Sequence, residues 1–307
     1  MSVVDIAMAT YNGEKYLKEQ IESIICQTFT DWRLFVRDDG STDNTVSIIK
    51  DYAQIDSRIQ LIEDNLGNLR VSRNFEQALN YCTAPYSMFA DQDDVWFPSK
   101  IEKSLELIKQ NENQHKSLLV FTNSILTNED LSLQIGTLYD KKQSYGLKDF
   151  LFANAGYQGA SLMFTKTLRD KMLPFLYDVK VHDYHVSLIG FLYGKVLFLK
   201  EPQLYYRRHD NSVNPNNKTL VARIRSFVQG DPILYDVSMK EYLLNLFNNH
   251  KDKFTDYDVD LLNKYFQIID PKTNKLRRII LVNKGKFTLR NSFLFLVLKL
   301  FLIKKRT

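Results

Sequence analysis

Over the first 110 residues, short apolar runs alternate with stretches whose apolar positions recur three and four apart. Residues 3–9 read as a buried strand. Residues 14–28 place Tyr16, Leu17, Ile21, Ile24 and Ile25 on one side, which predicts a helix. The alternation continues with a strand over 32–37 and a helix over 42–52, led by Ser41 or Asp43 as its cap. A strand over 59–63, a helix over 72–81 and a strand over 86–91 follow, then a helix over 98–110 with Pro98 at its start. Such alternation implies βαβ units with right-handed crossovers. Residues 118–126 and 158–165 read as further strands. The expected class is α/β: a mostly parallel central sheet flanked by helices, with a helical extension at the C-terminus.

Four of these strands run out into polar turns. They are Thr10-Tyr11-Asn12-Gly13, Asp38-Asp39-Gly40-Ser41, Asp64-Asn65-Leu66-Gly67-Asn68 and Ala90-Asp91-Gln92-Asp93-Asp94. Open α/β sheets bind ligands at the carboxyl ends of their strands, so the turns line one crevice. Carboxylates and amides there accept from a base N–H and ribose hydroxyls, and Gly67 lets backbone come close. Asp91 and Asp93 share strand parity and can face the crevice together. Two hard oxygen ligands suit a divalent cation that completes its shell with water and phosphate oxygens. Neither a G-x-x-x-x-G-K-[ST] loop nor a G-x-G-x-x-G after the first strand is present. A bound diphosphate would therefore be neutralised by metal rather than by a glycine loop.

Composition alters this picture only at the end of the chain. The 307 residues are 44% hydrophobic and 25% charged, ordinary for a globular protein. Cys26 and Cys82 lie in helix-like apolar patterns and read as small core residues in a reducing compartment. With Met1-Ser2 leading directly into the first strand, no signal peptide is expected, which points to the cytoplasm. The net charge is +5, yet residues 271–307 carry eleven Lys or Arg and no acid, leaving the first 270 at about −6. The basic character belongs to the tail. No aromatic-interleaved basic surface or base-reading motif accompanies it, so nucleic acid is not an expected partner.

The four turn motifs, in this order and at these separations, resemble the nucleotide-binding half of family 2 glycosyltransferases with the GT-A fold. The resemblance covers residues 3 to about 110. It implies that Thr10, Tyr11, Asn12, Asp38, Asp39, Asn65, Gly67, Arg70 and Gln92 bind the nucleotide sugar. It also implies that Asp91 lies near the ribose and that Asp93 holds Mg²⁺ or Mn²⁺ against the diphosphate, with Asp91 and His209 as companion metal ligands. Residues 1–217 would form the GT-A domain, with 1–110 as nucleotide half and 111–217 as acceptor half, and 218–307 the extension.

Three later stretches fit the same resemblance. The segment 157–164 resembles the small-residue strand that approaches the sugar, placing Gly159, Ala160 and Ser161 on the acceptor side with Trp96 and His182. Tight packing is the other reading of Gly159-Ala160. Val181-His182-Asp183-Tyr184-His185 opens an apolar helix pattern, where an Asp is either a cap or, by the resemblance, the general base. Its wording resembles that of bacterial rhamnosyltransferases. In Tyr206-Arg207-Arg208-His209, Arg207 would clamp the diphosphate, His209 would be a third metal ligand, and Arg208 is as readily solvated.

Past residue 217, stretches 221–228, 233–248 and 259–268 read as amphipathic helices, with 220–231 alternatively a lid. Residues 292–303 are almost wholly apolar. As a helix they reach ~18 Å, short of the ~30 Å hydrocarbon core, so they do not span. They are either buried or lie at the inner membrane surface beside Lys304-Lys305-Arg306, and the surface is the preferred reading. The resemblance implies an inverting, metal-dependent glycosyltransferase, and the tail suggests a peripheral place on the cytoplasmic membrane face. Its donor would be dTDP-L-rhamnose or else a UDP-hexose, and its acceptor a lipid-linked saccharide of capsule, cell-wall or O-antigen synthesis. A non-catalytic nucleotide-sugar-binding or membrane scaffold protein is the alternative.

Overall fold

Apolar, β-rich runs separated by amphipathic helices bury strands on both faces, and the chain builds one nine-stranded sheet on that basis. The computed structural model describes residues 2–139, 147–152, 156–175, 181–209, 237–270 and 272–288, with four further positions between 293 and 300. Two compact units divide the chain. The first holds residues 1–143, 156–175 and 180–209; the second holds 144–155, 176–179 and 210–307.

In the first unit, β1 (Val4–Thr10), β2 (Trp32–Asp38), β3 (Ile59–Ile62) and β4 (Tyr86–Asp91) run parallel in the order β3-β2-β1-β4. Helices α1 (Leu17–Ile25), α2 (Thr45–Ile55) and α3 (Arg70–Asn80) make the crossovers. Beyond β4 the sheet becomes mixed. β8 (Leu162–Thr165) pairs antiparallel with both β4 and β6 (Leu118–Thr127), and β9 (Lys195–Arg207) runs parallel to β6. Two antiparallels restore the original direction, so β6 and β9 point the same way as β1–β4. The carboxyl ends of all six strands therefore share one edge of the sheet, and the motif residues lie along it. A two-residue strand, β5 (Val95–Trp96), closes on β9, and β7 (Gln134–Thr137) pairs with β6.

The core is built from Ile6, Met8, Leu34, Val36, Met88 and Ala90 of the central strands, with Leu17, Ile21 and Ile24 of α1 against them, all without measurable exposure. Full burial of each large aliphatic chain contributes about 1.5–3 kcal/mol. α4 (Lys100–Lys109) adds Ile101, Leu105 and Ile108 to the same cluster.

Three helices begin later than expected, α1 and α2 by three residues and α4 by two. The loops after β1 and β2 are zipped together first. Asn12 N donates to Ser41 Oγ (2.8 Å), Thr42 N to Asn12 Oδ1 (2.9 Å), Gly13 N to Thr45 Oγ1 (2.8 Å) and Asn44 N to Glu14 Oε2 (2.9 Å). These bonds hold residues 11–16 and 39–44 out of helical geometry. Neither Ser41 nor Asp43 caps α2; Asn44 stands at the cap position. Similarly, the first half of the strand expected over 158–165 is a 3₁₀ turn, Gly159–Ser161. Pro98 lies before α4, with Ser99 at its cap. α6 (Lys166–Met172) and α7 (His182–Tyr193) complete the unit.

In the second unit, α5 (Leu147–Leu151), α8 (Val237–Asn249), α9 (Asp256–Ile269) and α10 (Lys275–Lys284) are described. Thr255 and Asp258 form a reciprocal capping box at the start of α9. Phe152 meets Tyr265 and Phe287 edge-on at 5.0 and 5.2 Å. The helix expected over 221–228, the alternative lid over 220–231 and most of the apolar stretch 292–303 lie outside the described residues. Among the described residues, no helix is long and apolar enough to cross a membrane.

Candidate functional site

A buried charged side chain near the end of β2 organises the first half of the edge. Arg37, 1% exposed near the end of β2, grips Asp64 with Nε and Nη2 (2.8 and 2.9 Å). It also donates to Asp39 Oδ1, Asn74 Oδ1 and the Gly67 carbonyl, each at 3.0 Å. Arg37 holds the Asp64 carboxyl below the usual carboxylate range, against the opposing effect of burial. Apolar spacing and turn motifs assign Arg37 no role. Its signal was available: an arginine directly preceding Asp38-Asp39 inside a buried strand needs acids to meet it.

The same network engages the acids expected to face a nucleotide. Asp38 accepts four hydrogen bonds, from Gly40 N, Ser41 N, Ser41 Oγ and Thr10 Oγ1, at 2.6–3.0 Å. A carboxylate has about four lone-pair sites, so Asp38 is saturated by its own chain. Asp39 is 3% exposed and accepts from Arg37, Leu69 N and Arg70 N. Both acids brace the loops. Thr10 is buried, whereas Tyr11, Asn12, Asn65 and Arg70 are exposed on the same edge. Gly67 has φ +68° with open space where a Cβ would stand, so its left-handed backbone, not a close neighbour, requires glycine.

Gln92 couples this half to the acidic loop. Its amide accepts from Tyr11 N (2.9 Å) and donates to Tyr11 O (3.1 Å). Next to it, Asp93 Oδ2 lies 2.8 Å from His209 Nε2, so β9 delivers its histidine onto the loop that follows β4. Asp91, at the end of β4, is not part of that contact. Burial, then repulsion from Asp93 and Asp183, pushes its carboxyl up to about 7, with His182 partly offsetting.

Arg207, expected as a diphosphate clamp, is turned inward. It is 3% exposed. Its Nε donates to the Asp93 carbonyl (2.8 Å), and its two terminal nitrogens reach the Glu129 carbonyl and the Glu19 carboxylate. It is a strut under the acidic loop. Arg208 beside it is half-buried, and its Nε has no hydrogen-bond partner among the described residues. Trp96, expected on the acceptor side, is 2% exposed and belongs to the hydrophobic core. It stacks under Lys100, whose buried ammonium lies 4.6 Å from the ring centroid and is pushed down to about 7 by burial. Asp94, fully buried, is pushed well above the usual carboxylate range by burial and then by Asp93 and Asp91.

The remaining acceptor-side residues separate in the same way. Ala160 is a core residue, and the Ser161 hydroxyl is bonded to the Gln158 carbonyl at 2.7 Å. Gly159 instead faces the catalytic candidates: a Cβ there would collide with His182 Nε2 and come within 2.8 Å of Asp183 Oδ1. Close approach is thus the reason for this glycine. Asp183 lies in the first turn of α7, two residues past the cap position Val181, and its carboxyl accepts from the backbone N–H groups of Gly159 and of its own residue. Its Oδ1 is 2.9 Å from His182 Nε2. His182, 3% exposed, stacks on Phe75 (3.9 Å between centroids) and meets Phe89 edge-on (5.0 Å).

The edge therefore gathers Asp91, Asp93 and His209, with Asp183 near enough to Asp91 to repel it. Carboxylate and imidazole donors fit Mg²⁺ or Mn²⁺. Among the described residues, no three such groups are close enough to hold a cation alone. A cation here would draw further ligands from phosphate and water. A cleft of about 470 Å³ lined by Gln114–Ser117 and Leu192–Lys195 lies at the amino ends of β6 and β9, the opposite end of the sheet from these groups.

Comparison with known proteins agrees with this geometry. The family profile described as glycosyl transferase family 2 matches residues 5–161. The chain is 38% identical over 109 residues to a putative glycosyltransferase, EpsE, of Bacillus subtilis, covering 35% of this chain and 39% of EpsE. It is 29% identical over 235 residues to the dTDP-rhamnosyl transferase RfbG of Shigella flexneri, covering 71% of this chain and 77% of RfbG. Among solved structures, S. aureus TarS 1-349 in complex with UDP-GlcNAc superposes with a TM-score of 0.59 at 14% identity, covering 93% of this chain and 80% of TarS 1-349. The α/β architecture is the GT-A fold. With the family profile spanning half the chain and the strand-end motifs gathered on one edge, the chain belongs to glycosyl transferase family 2.

Proposed function

We propose that this glycosyltransferase moves a sugar, with inversion, from a nucleoside-diphosphate sugar to a saccharide hydroxyl in polysaccharide synthesis. The observation that carries the reading is Asp183: an acid in the first turn of α7, 2.9 Å from His182 and near enough to Asp91 at the end of β4 for the two carboxyls to repel. That supports a base beside the donor-side carboxylates, which a single displacement needs. Asp93 and His209 would hold the divalent cation, which supplies positive charge to the departing diphosphate. The exposed Tyr11, Asn12, Asn65 and Arg70 would meet the nucleotide, while Asp38, Asp39 and Gln92 hold the loops that present them. Arg207 would act on the diphosphate only through the acidic loop it supports.

The donor proposed is dTDP-L-rhamnose, with a UDP-hexose as the competitor, since RfbG is matched along most of both chains. The acceptor proposed is a lipid-linked saccharide at the cytoplasmic membrane face, reached through the basic C-terminal segment. The test offers labelled dTDP-rhamnose, UDP-glucose and UDP-GlcNAc separately with Mn²⁺ and a membrane extract, and follows label into lipid. Asp183→Asn should end transfer and leave nucleotide binding intact. Lost binding would make Asp183 structural, and label from a UDP-sugar alone would replace the donor.

A further inference from the structure

A general base must stay ionised, and the surroundings of Asp183 oppose that. Its side chain is only 21% exposed, and Asp91 on β4 repels it. Charged groups on neighbouring elements are committed elsewhere. Arg73 and Glu76 of α3 pair with each other and hold the Phe175 backbone, and His185 Nε2 of α7 is 2.9 Å from the Met172 carbonyl. Among the described residues, the charged side chain that touches Asp183 is His182, beside the backbone N–H groups of Gly159 and Asp183 itself.

Three contacts set the place of His182. Phe75 stacks on one face of the imidazole, Phe89 meets it edge-on, and residue 159 leaves room for it by having no side chain. Building this arrangement for an acceptor contact would be wasteful, because the ring is 3% exposed. A buried imidazole against one carboxylate, with a second carboxylate nearby, does what a fixed cation would do.

We propose that His182 is a positioning residue for the transfer reaction: wedged between Phe75 and Gly159, it sets a positive charge against Asp183 and keeps that base ionised and oriented in the presence of Asp91. This inference rests on Asp183 being the base. The electrostatics agree with the geometry. Burial disfavours a charged imidazole, yet Asp183 and then Asp91 raise His182 above its ordinary value. Burial likewise opposes the Asp183 anion, yet His182 holds it below the usual carboxylate range. Without the imidazole, the backbone N–H groups of Gly159 and of Asp183 itself are what remains against burial and Asp91.

The test reads the two groups directly. In the full chain with ¹³C-labelled aspartate, the Asp183 carboxyl resonance (assigned by its loss in Asp183→Asn) is titrated in wild type, His182→Gln and His182→Phe. Its midpoint should rise by roughly one to three pH units in both variants. The acidic limb of kcat/KM should rise with it, while the KM for the nucleotide sugar stays unchanged. A merely structural His182 would lower activity evenly across pH, and an unmoved Asp183 midpoint overturns the proposal. Should neither His182 variant fold, the converse measurement decides: Asp183→Asn should lower the midpoint of the His182 ring, and an unmoved ring midpoint overturns it. An Asp183→Asn enzyme that still turns over removes the base reading alone, because the linked titrations are read without turnover.

Discussion

His209 Nε2 and Asp93 Oδ2 lie 2.8 Å apart although 116 residues separate them in the chain. The contact follows from topology: β4 and β9 run the same way in one sheet, so their continuations emerge at one edge. That acid and imidazole are the two groups proposed above to hold the cation. Replacing His209 with Ala should weaken Mn²⁺-dependent binding of UDP or dTDP by about tenfold or more, and leave metal-free binding unchanged. Calorimetry with and without Mn²⁺ separates the two. Equal losses in both conditions would mean that His209 only supports the loop.

Arg37 makes a prediction about stability instead of metal. Its side chain is 2% exposed and faces Asp39 and Asp64, themselves 4% and 18% exposed. Arg37→Met leaves those acids buried and unmatched, which should cost about 3–5 kcal/mol in a urea-unfolding experiment. The pH dependence has a defined sign. Arg37 depresses the folded-state value of Asp64, so that contribution is present above the unfolded value near pH ~4 and lost as pH falls through the folded one. Wild type should therefore lose stability in acid more steeply than Arg37→Met. Parallel acid profiles would contradict the assignment.

The legible part of this molecule was the part governed by local pattern. Strands β1 to β4 announce themselves as apolar runs, and the turns that close them carry the polar residues of the edge. What local pattern does not show is which polar groups will consume one another. Asp38 and Asp39 look like free acceptors in sequence, yet Thr10, Ser41, Arg37 and residues 69–70 use them up. Arg207 likewise reads as an anion clamp until its donors are traced to Asp93, Glu129 and Glu19. Trp96 belongs to a two-residue strand, too short to leave any periodicity, and that pairing carries it into the core. Partners far along the chain decide Asp39, Arg207 and Trp96, whereas three of the four bonds to Asp38 come from Gly40 and Ser41 in its own turn.

Gly159 tests the proposed base without touching a charge. A methyl group there meets His182 Nε2 and Asp183 Oδ1. Gly159→Ala should therefore displace the His182–Asp183 pair and lower kcat by about a hundredfold. Nucleotide binding should survive, because Tyr11, Asn12, Asn65 and Arg70 belong to other loops. Full activity in this variant would show that the pair tolerates displacement and does not work at the reacting atoms.

The basic C-terminal segment makes a prediction independent of the chemistry. On α10, Leu276 and Ile280 stand four residues apart and are 69% and 40% exposed. Lys275, Arg277, Lys284 and Lys286 are exposed along the same segment. An apolar pair among bases on one helix suits the surface of an anionic bilayer, where each base contributes about 1 kcal/mol. The full chain should sediment with phosphatidylglycerol vesicles at low salt and be released as ionic strength rises. Leu276→Asp with Ile280→Asp should remain in the supernatant while still binding nucleotide. Equal sedimentation with phosphatidylcholine vesicles would remove the electrostatic part of the reading, and unchanged sedimentation of the double variant would remove α10 from it.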